Sequence, residues 1–298
     1  GIGRELSEAF PVARQLFQEV DEALSQKLSA LMFEGPEDQL TLTENAQPAL
    51  MAVSLAVVRV LESEGGLDLA KAASFVAGHS LGEYSALAAA GTFTVADTAR
   101  LLKIRGQAMQ KAVPVGVGAM AALLGAELDQ AREIAQLAAE GEVCEAANDN
   151  GGSQVVLSGH KTAVDRAIKI AAEKGIKRAI PLPVSAPFHC ALMQPAADAM
   201  AEALAKVEMK APRVPLVANV TASRVKDPDD IRGLLVRQVT GTVRWRESVL
   251  FMKAEGVSSL VELGSGKVLG GLAKRIDKEL SGSSVGAPAD IEAFLKSL

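Results

Sequence analysis

Five residues, Gly78-His79-Ser80-Leu81-Gly82, constrain this chain more than any other stretch. They match the pattern G-x-S-x-G, which puts a serine on a strained turn between a strand and a helix. The flanks agree. Ser74-Phe75-Val76-Ala77 reads as a short apolar strand, and a small-residue helix follows over 81–90, closed by Gly91. On such a turn the positions beside the serine are glycine because a side chain would clash. The hydroxyl then stands at a helix N-terminus, where backbone N–H groups and the dipole stabilise an oxyanion. The pattern alone recurs by chance. Its flanks favour a nucleophile over a glycine-rich turn with an inert serine.

The rest of the chain alternates strand and helix patterns, which predicts an α/β fold. Residues 116–185 carry a rhythm of their own. Strands at 119–124, 143–147, 154–158 and 177–182 alternate with helices at 128–139 and 162–173. The order β-α-β-β-α-β is ferredoxin-like, with Asn148-Asp149-Asn150-Gly151-Gly152 as a strong turn signal. This reads as a small domain, 116–185, inserted into a larger one formed by 1–115 and 186–298. In the larger domain Leu6, Phe10, Val12, Leu16 and Phe17 share a helical face. Residues 47–62 are apolar nearly all round and predict a buried helix. Helices follow at 94–111, 193–207, 231–239 and 245–254, and strands at 214–220 and 259–263. Gly264-Ser265-Gly266-Lys267 lacks the spacing of a phosphate loop and reads as a turn.

Composition removes several function classes. A chain of 298 residues buries roughly 75% of its unfolded surface and needs no metal or disulfide staple. The net charge of −5 (31 basic against 36 acidic residues) argues against a general nucleic-acid binder. Cys144 and Cys190 cannot make a zinc site unaided, and so sparse a cysteine content fits a reducing cytoplasm. The longest apolar run, 49–58, contains Ser54 and ends at Arg59, short of a membrane span. No signal peptide is visible at the N-terminus.

A nucleophilic serine needs a base, and the chain has three histidines. His79 adjoins the serine on a tight turn, where its side chain points elsewhere. His160 sits at the start of a helix in the small domain and reads as a solvated helix-start residue. His189, in Ser185-Ala186-Pro187-Phe188-His189, remains as the base by elimination. There Pro187 fixes the backbone and Phe188 supplies an apolar wall. No carboxylate follows in the order usual for hydrolases; Asp198 and Glu202 look like outward helix positions. Arg105 could clamp a substrate carboxylate. From spacing alone, however, it reads as part of a solvated helix face, with Arg100 and Lys103 as competitors. By default Asn148 and Asn150 are turn formers, and Gln238 is a polar residue at a helix end.

Taken together, these segments resemble the malonyl-CoA:acyl carrier protein transacylases, the freestanding acyltransferases of bacterial fatty acid synthesis. The resemblance covers essentially the whole chain. It rests on Gly78-His79-Ser80-Leu81-Gly82-Glu83-Tyr84-Ser85-Ala86, Arg105-Gly106-Gln107-Ala108-Met109-Gln110, Gly118-Ala119-Met120-Ala121-Ala122 and Gly159-His160. Pro187-Phe188-His189-Cys190, Val243-Arg244-Trp245 and Glu262-Leu263-Gly264-Ser265-Gly266-Lys267-Val268-Leu269 complete it. The resemblance implies an α/β-hydrolase-like large domain with a parallel sheet and a ferredoxin-like insertion, the site lying in the cleft between them.

It also implies roles. Ser80 would be the nucleophile and His189 its base. The backbone carbonyl of Gln238 would orient that histidine in place of a carboxylate, and the N–H of Leu81 would be an oxyanion donor. Arg105 would pair with the malonyl carboxylate. Asn150 would lie near coenzyme A, and His79 and Phe188 would line the substrate path. Malonyl-CoA is the implied substrate, with no metal and no permanently bound cofactor. The implied partner is an acidic acyl carrier protein, and a monomer is expected. A local basic patch should meet the carrier; Lys174, Lys177, Arg178 and Lys267 are candidates. Gly1-Ile2-Gly3 matches the family's Gly-Met-Gly, so the family's first strand and its glutamine loop, source of a second oxyanion N–H, fall outside this numbering. Rival readings are a serine esterase or thioesterase, a non-catalytic carrier-binding module, and an acyltransferase domain of a polyketide synthase. The chain's final helix, 291–298, suits a freestanding enzyme better than the last of these.

Overall fold

The computed structural model describes residues 1–184 and 186–298. Ser185, at the expected boundary between 116–185 and 186–298, lies outside the described residues.

The helix Thr43–Gly65 forms the axis of the main core. Met51, Ala52, Val53, Ala56, Val57, Val60 and Leu61 are all buried along it. It packs against the helices Pro11–Leu24 and Val95–Lys111. By length and composition it could cross a membrane, yet 67% of that apolar window is buried within the fold. The single N-terminal helix expected from Leu6 to Phe17 is instead two, Arg4–Ala9 and Pro11–Leu24. Pro11 excludes a helical conformation at Phe10, which is extended, and itself starts the next helix.

A four-stranded antiparallel sheet stands beside this core. Its strands are β1 (Gly118–Leu124), β2 (Cys144–Gly151), β3 (Gln154–His160) and β4 (Arg178–Pro181), in the spatial order β2-β3-β1-β4. Register follows the two-residue period of a strand. Ala121 lies opposite Leu157 and Leu123 opposite Val155. These residues bury against Ile134, Ala163, Val164 and Ala167 of the helices Leu128–Ala139 and Lys161–Glu173. The alternate residues Met120, Ala122, Ala147 and Val156 face the other way and pack with Leu182 and Phe188.

The continuous parallel sheet expected elsewhere is not formed among the described residues. Its pieces are a parallel pair, β7 (Ser259–Leu263) with β8 (Ser281–Val285), and one parallel bridge from Val76 to Leu216. The strand expected at 214–220 shrinks to β5 (Leu216–Val217), paired antiparallel with β6 (Arg224–Val225). The ladder at Val76 has two bonds, Val76 N–H to the Pro215 carbonyl and Val217 N–H to the Val76 carbonyl. Pro215 has no N–H to extend it, and Ala218 turns its N–H to the Ser223 carbonyl.

The sheet meets a second hydrophobic cluster, that of Val243, Trp245, Val249 and Leu272, along β2. Thr242–Val243 runs beside its free edge: Val243 N–H donates to the Ala147 carbonyl at 2.8 Å, and Asp149 N–H to the Val243 carbonyl at 2.9 Å. This seam carries Asn150 toward the serine turn.

Candidate active site

The serine turn is built from its glycine upward. The strand-like segment ends at Ala77, and the helix Gly82–Ala89 begins four residues after Gly78. A Cβ on Gly78 would collide with the Gly82 carbonyl, so only glycine fits there. The same need does not hold at Gly82, where a Cβ would meet nothing within 4 Å. The expectation that both flanks require glycine is corrected to Gly78 alone. Ser80 takes a left-handed backbone conformation, φ 55°, a strain that persists only where surroundings enforce it. Asn219 enforces it. Its Oδ1 accepts the Ser80 N–H at 2.9 Å and its Nδ2 donates to the Gly78 carbonyl at 2.8 Å.

His189, also left-handed at φ 56°, meets the serine from the far segment. Its Nε2 is 2.8 Å from Ser80 Oγ, and its Nδ1 is 2.8 Å from the Gln238 carbonyl oxygen. A carbonyl only accepts, so Nδ1 carries the proton and Nε2 presents a lone pair to the hydroxyl. That is the tautomer a base requires. Burial holds the imidazole well below its usual range, to about 3, and the Arg105 charge adds to this. His189 is therefore neutral at ordinary pH.

Arg105 overturns the solvated-face reading. It is 1% exposed. Gly106 makes this possible, because a Cβ there would strike the backbone of Thr43 and Glu44. The two long helices thus close tightly, and Gln47 reaches the guanidinium. Arg105 Nη1 donates to Gln47 Oε1 at 2.7 Å, and Nη2 donates to Gln238 Oε1 at 2.8 Å and to Ser80 Oγ at 3.2 Å. These partners are all neutral, and its Nε has none. A buried guanidinium with an unfilled donor is costly to leave so, and it points to an incoming acceptor.

Gln238 ties the group together. Its Nε2 donates to the Ser80 carbonyl at 2.8 Å and to Glu83 Oε1 at 2.6 Å, with Asn219 Oδ1 at 3.2 Å. His79 does not face the hydroxyl. Its Nε2 is 2.8 Å from Asn150 Oδ1, and its ring lies 5.8 Å from that of Trp245. Burial lowers its basicity. Phe188 packs between the main core and the Met120–Val156 face. Leu81 follows the serine in αR conformation and caps the helix Gly82–Ala89.

The remaining candidates lie apart. His160 Nδ1 accepts the Val143 N–H at 2.9 Å, so it locks a loop rather than only facing solvent. Asp198 and Glu202 are exposed. Arg178 is on β4, while Lys267 precedes the helix Val268–Ile276, which packs against β2 at the opposite edge of the sheet. Lys174, Lys177, Arg178 and Lys267 therefore do not form one patch. A polar cleft of about 870 Å³, lined by Arg132, Arg237, Arg244 and Arg246 among others, includes neither Ser80 nor His189. No cluster of three metal-ligating side chains forms among the described residues.

Three functional neighbours escape sequence reasoning: Gln47, Asn219 and Glu83. Gln47 opens the apolar run 48–53 and Asn219 interrupts the run 214–220, which is the one signal they leave.

Comparison with known proteins identifies the family. Residues 1–270 match the model of the acyl transferase domain family. The malonyl CoA-acyl carrier protein transacylase of Escherichia coli strain K12 is 46% identical over 296 residues, covering 99% of this chain and 94% of that one. The Bacillus subtilis strain 168 protein of the same name is 43% identical over 299 residues, covering 100% and 93%. The crystal structure of an acyl-carrier-protein-S-malonyltransferase from Bartonella henselae superposes with a TM-score of 0.97 at 58% identity, covering 100% of this chain and 94% of that one. A malonyl-transacylase solved in complex with its type II PKS acyl carrier protein gives 0.96 at 43% identity, covering 100% and 95%.

Proposed function

Because the chain belongs to the acyl transferase domain family, and within it to the malonyl-CoA:acyl carrier protein transacylases, we propose that Ser80 carries the malonyl group as an ester between malonyl-CoA and the phosphopantetheine thiol of an acyl carrier protein. The reaction serves fatty acid synthesis. One observation carries the assignment of residues: the buried guanidinium of Arg105, with an unfilled Nε–H, lies 3.2 Å from the Ser80 hydroxyl.

The mechanism follows in two halves. His189 Nε2 takes the Ser80 proton as Oγ attacks the thioester carbon. The tetrahedral oxyanion is met by the Leu81 N–H at the helix start. The carbon–sulfur bond breaks, and His189 returns the proton to the sulfur of coenzyme A. In the second half the carrier thiol gives its proton to His189 and attacks the ester carbon, the bond from that carbon to Ser80 Oγ breaks, and His189 returns the proton to Oγ. The Gln238 carbonyl keeps the imidazole in the right tautomer throughout, so a Ser–His dyad suffices. Arg105, held flat by Gln47 and Gln238, binds the malonyl carboxylate. The His79–Asn150 pair and Phe188 line the pantetheine path.

The architecture belongs to the same reading. The order β2-β3-β1-β4 with antiparallel pairing supports a ferredoxin-like insertion at 116–185. The serine turn and the parallel β7–β8 pair support a hydrolase-like domain from 1–115 and 186–298. We read the protein as a cytoplasmic monomer without a permanent cofactor; its two cysteines are free and buried.

The test is intact mass after brief mixing with malonyl-CoA. The expected product is a malonyl adduct that disappears on adding acyl carrier protein and is absent from Ser80→Ala. An adduct that survives in Ser80→Ala would refute the assignment.

A further inference from the structure

Glu83 has no part in the mechanism above, yet it is 1% exposed and one turn from the nucleophile. Its Oε1 accepts the Gln238 amide at 2.6 Å. Its Oε2 has no hydrogen-bond partner. A carboxylate buried in this way is expensive unless charge compensates it. The compensation is Arg105, which acts through space without a direct ion pair. The titratable and charged groups facing Glu83 are Arg105 on the Val95–Lys111 helix and Tyr84 on its own helix. Gln238 and Asn219, from the other elements packed against it, are neutral. The site thus holds one buried cation and one buried acid, each with an unfilled position.

A malonyl carboxylate arriving at Arg105 changes this balance. Two carboxyl groups then share one guanidinium away from water, and such a pair cannot both stay ionised at little cost. The substrate carboxylate makes direct bonds to the guanidinium and keeps its charge. Glu83 makes none, and its free Oε2 is where a proton fits. We propose that Glu83 is the counter-carboxyl of the malonyl site, shared with Arg105 before substrate arrives and protonated when the malonyl carboxylate docks, so that malonyl loading draws a proton from solvent and acetyl loading does not. This rests on Arg105 being the malonyl clamp. Burial supports it by pushing the Glu83 carboxyl up to about 8, against the pull of Gln238, the Asn219 backbone N–H and Arg105. The group is therefore poised where a small change in field shifts its proton.

The proton count is closed. Acylation forms the Ser80 Oγ–carbon bond and breaks the carbon–sulfur bond, and the serine proton leaves with the thiol through His189. The Glu83 proton is additional. It comes from solvent and returns when the malonyl group departs to the carrier.

The experiment measures proton exchange with a pH indicator in weak buffer at pH 8, as malonyl-CoA or acetyl-CoA loads Ser80 without carrier protein. Intact mass gives the amount loaded. Both thioesters release the same thiol, so their difference isolates the carboxylate. Malonyl loading should take up as much as about half a proton more than acetyl loading, since Glu83 is half ionised there. The difference should fade toward pH 6 and vanish in Glu83→Gln, which keeps the acceptor for Gln238. Equal proton exchange for the two thioesters, or a difference that persists in Glu83→Gln, overturns the proposal. Should Glu83→Gln not fold, the pH profile of the unmodified protein decides alone. Arg105→Ala separates the premise. If it loads malonyl as readily as the unmodified protein, the clamp is wrong and the proposal falls with it. If it loses malonyl loading while the unmodified protein shows no proton difference, Glu83 alone is wrong.

Discussion

The Nδ1–H of His189 donates to the backbone carbonyl of Gln238 at 2.8 Å. A neutral carbonyl fixes the imidazole as firmly as a carboxylate would, but it stabilises an imidazolium less. Burial and the nearby guanidinium keep the base uncharged, against the pull of this bond.

The pH dependence follows from that depression. His189 is neutral above about 3, so it should impose no fall in kcat/KM for malonyl transfer between pH 7 and pH 5, below the range in which Glu83 titrates. Arg105 is the second cause of the depression, after burial. In Arg105→Gln the imidazole should therefore titrate at higher pH than in the unmodified protein. NMR titration of the ring checks the shift. An imidazole unmoved in the variant would show that the two charges do not interact.

Arg105→Ala should change what is loaded rather than whether loading occurs. Charge-assisted bonds to a buried carboxylate contribute about 1.5–3 kcal/mol, which is a fall of roughly ten- to a hundredfold in malonyl loading. Acetyl loading should fall less, so the malonyl-to-acetyl ratio drops. Competition between the two thioesters, read by intact mass, gives that ratio directly.

The two glycines of the serine turn should respond differently. Gly78→Ala drives a methyl into the Gly82 carbonyl. An overpacking cost of about 1–3 kcal/mol and loss of the ester are expected. Gly82→Ala meets open space and should leave the thermal midpoint within about 2 °C. Equal destabilisation by the two would contradict the steric account.

Glu83 also links stability to pH. Its folded-state carboxyl is raised from 4.5 to about 8. Across that window the folded chain keeps a proton that the unfolded chain has lost, so this contribution to stability falls as pH rises and levels off above about 8. Glu83→Gln lacks the titration. Its urea midpoint relative to the unmodified protein should improve from pH 5 to pH 8; a constant gap would place Glu83 outside the buried network.

Much of the fold is legible in the sequence because its signals are local. The alternation in β1 and β3 marks two faces, and the helices beside them repeat with helical period. What fails is what depends on distant partners. Val76 reads as strand, but its ladder depends on Pro215, which cannot donate. The site divides the same way. Ser80 and His189 stand out by pattern and elimination. Arg105 does not, since its burial comes from Gly106 closing one helix onto another, which no spacing within the Val95–Lys111 helix records. Gln47, Glu83 and Asn219 are separated by tens of residues in the chain and are brought together around Arg105, Gln238 and the serine turn.

The chain has a single tryptophan, and it is the one whose ring lies 5.8 Å from His79. Its emission is consequently a local optical signal from a spot two side chains away from Asn150. Protonation of His79, or a ligand displacing it from Asn150, should quench or restore that emission without any introduced label. The protein thus carries its own fluorophore beside the residue that precedes Ser80, and stopped-flow fluorescence on mixing with malonyl-CoA should time any change there.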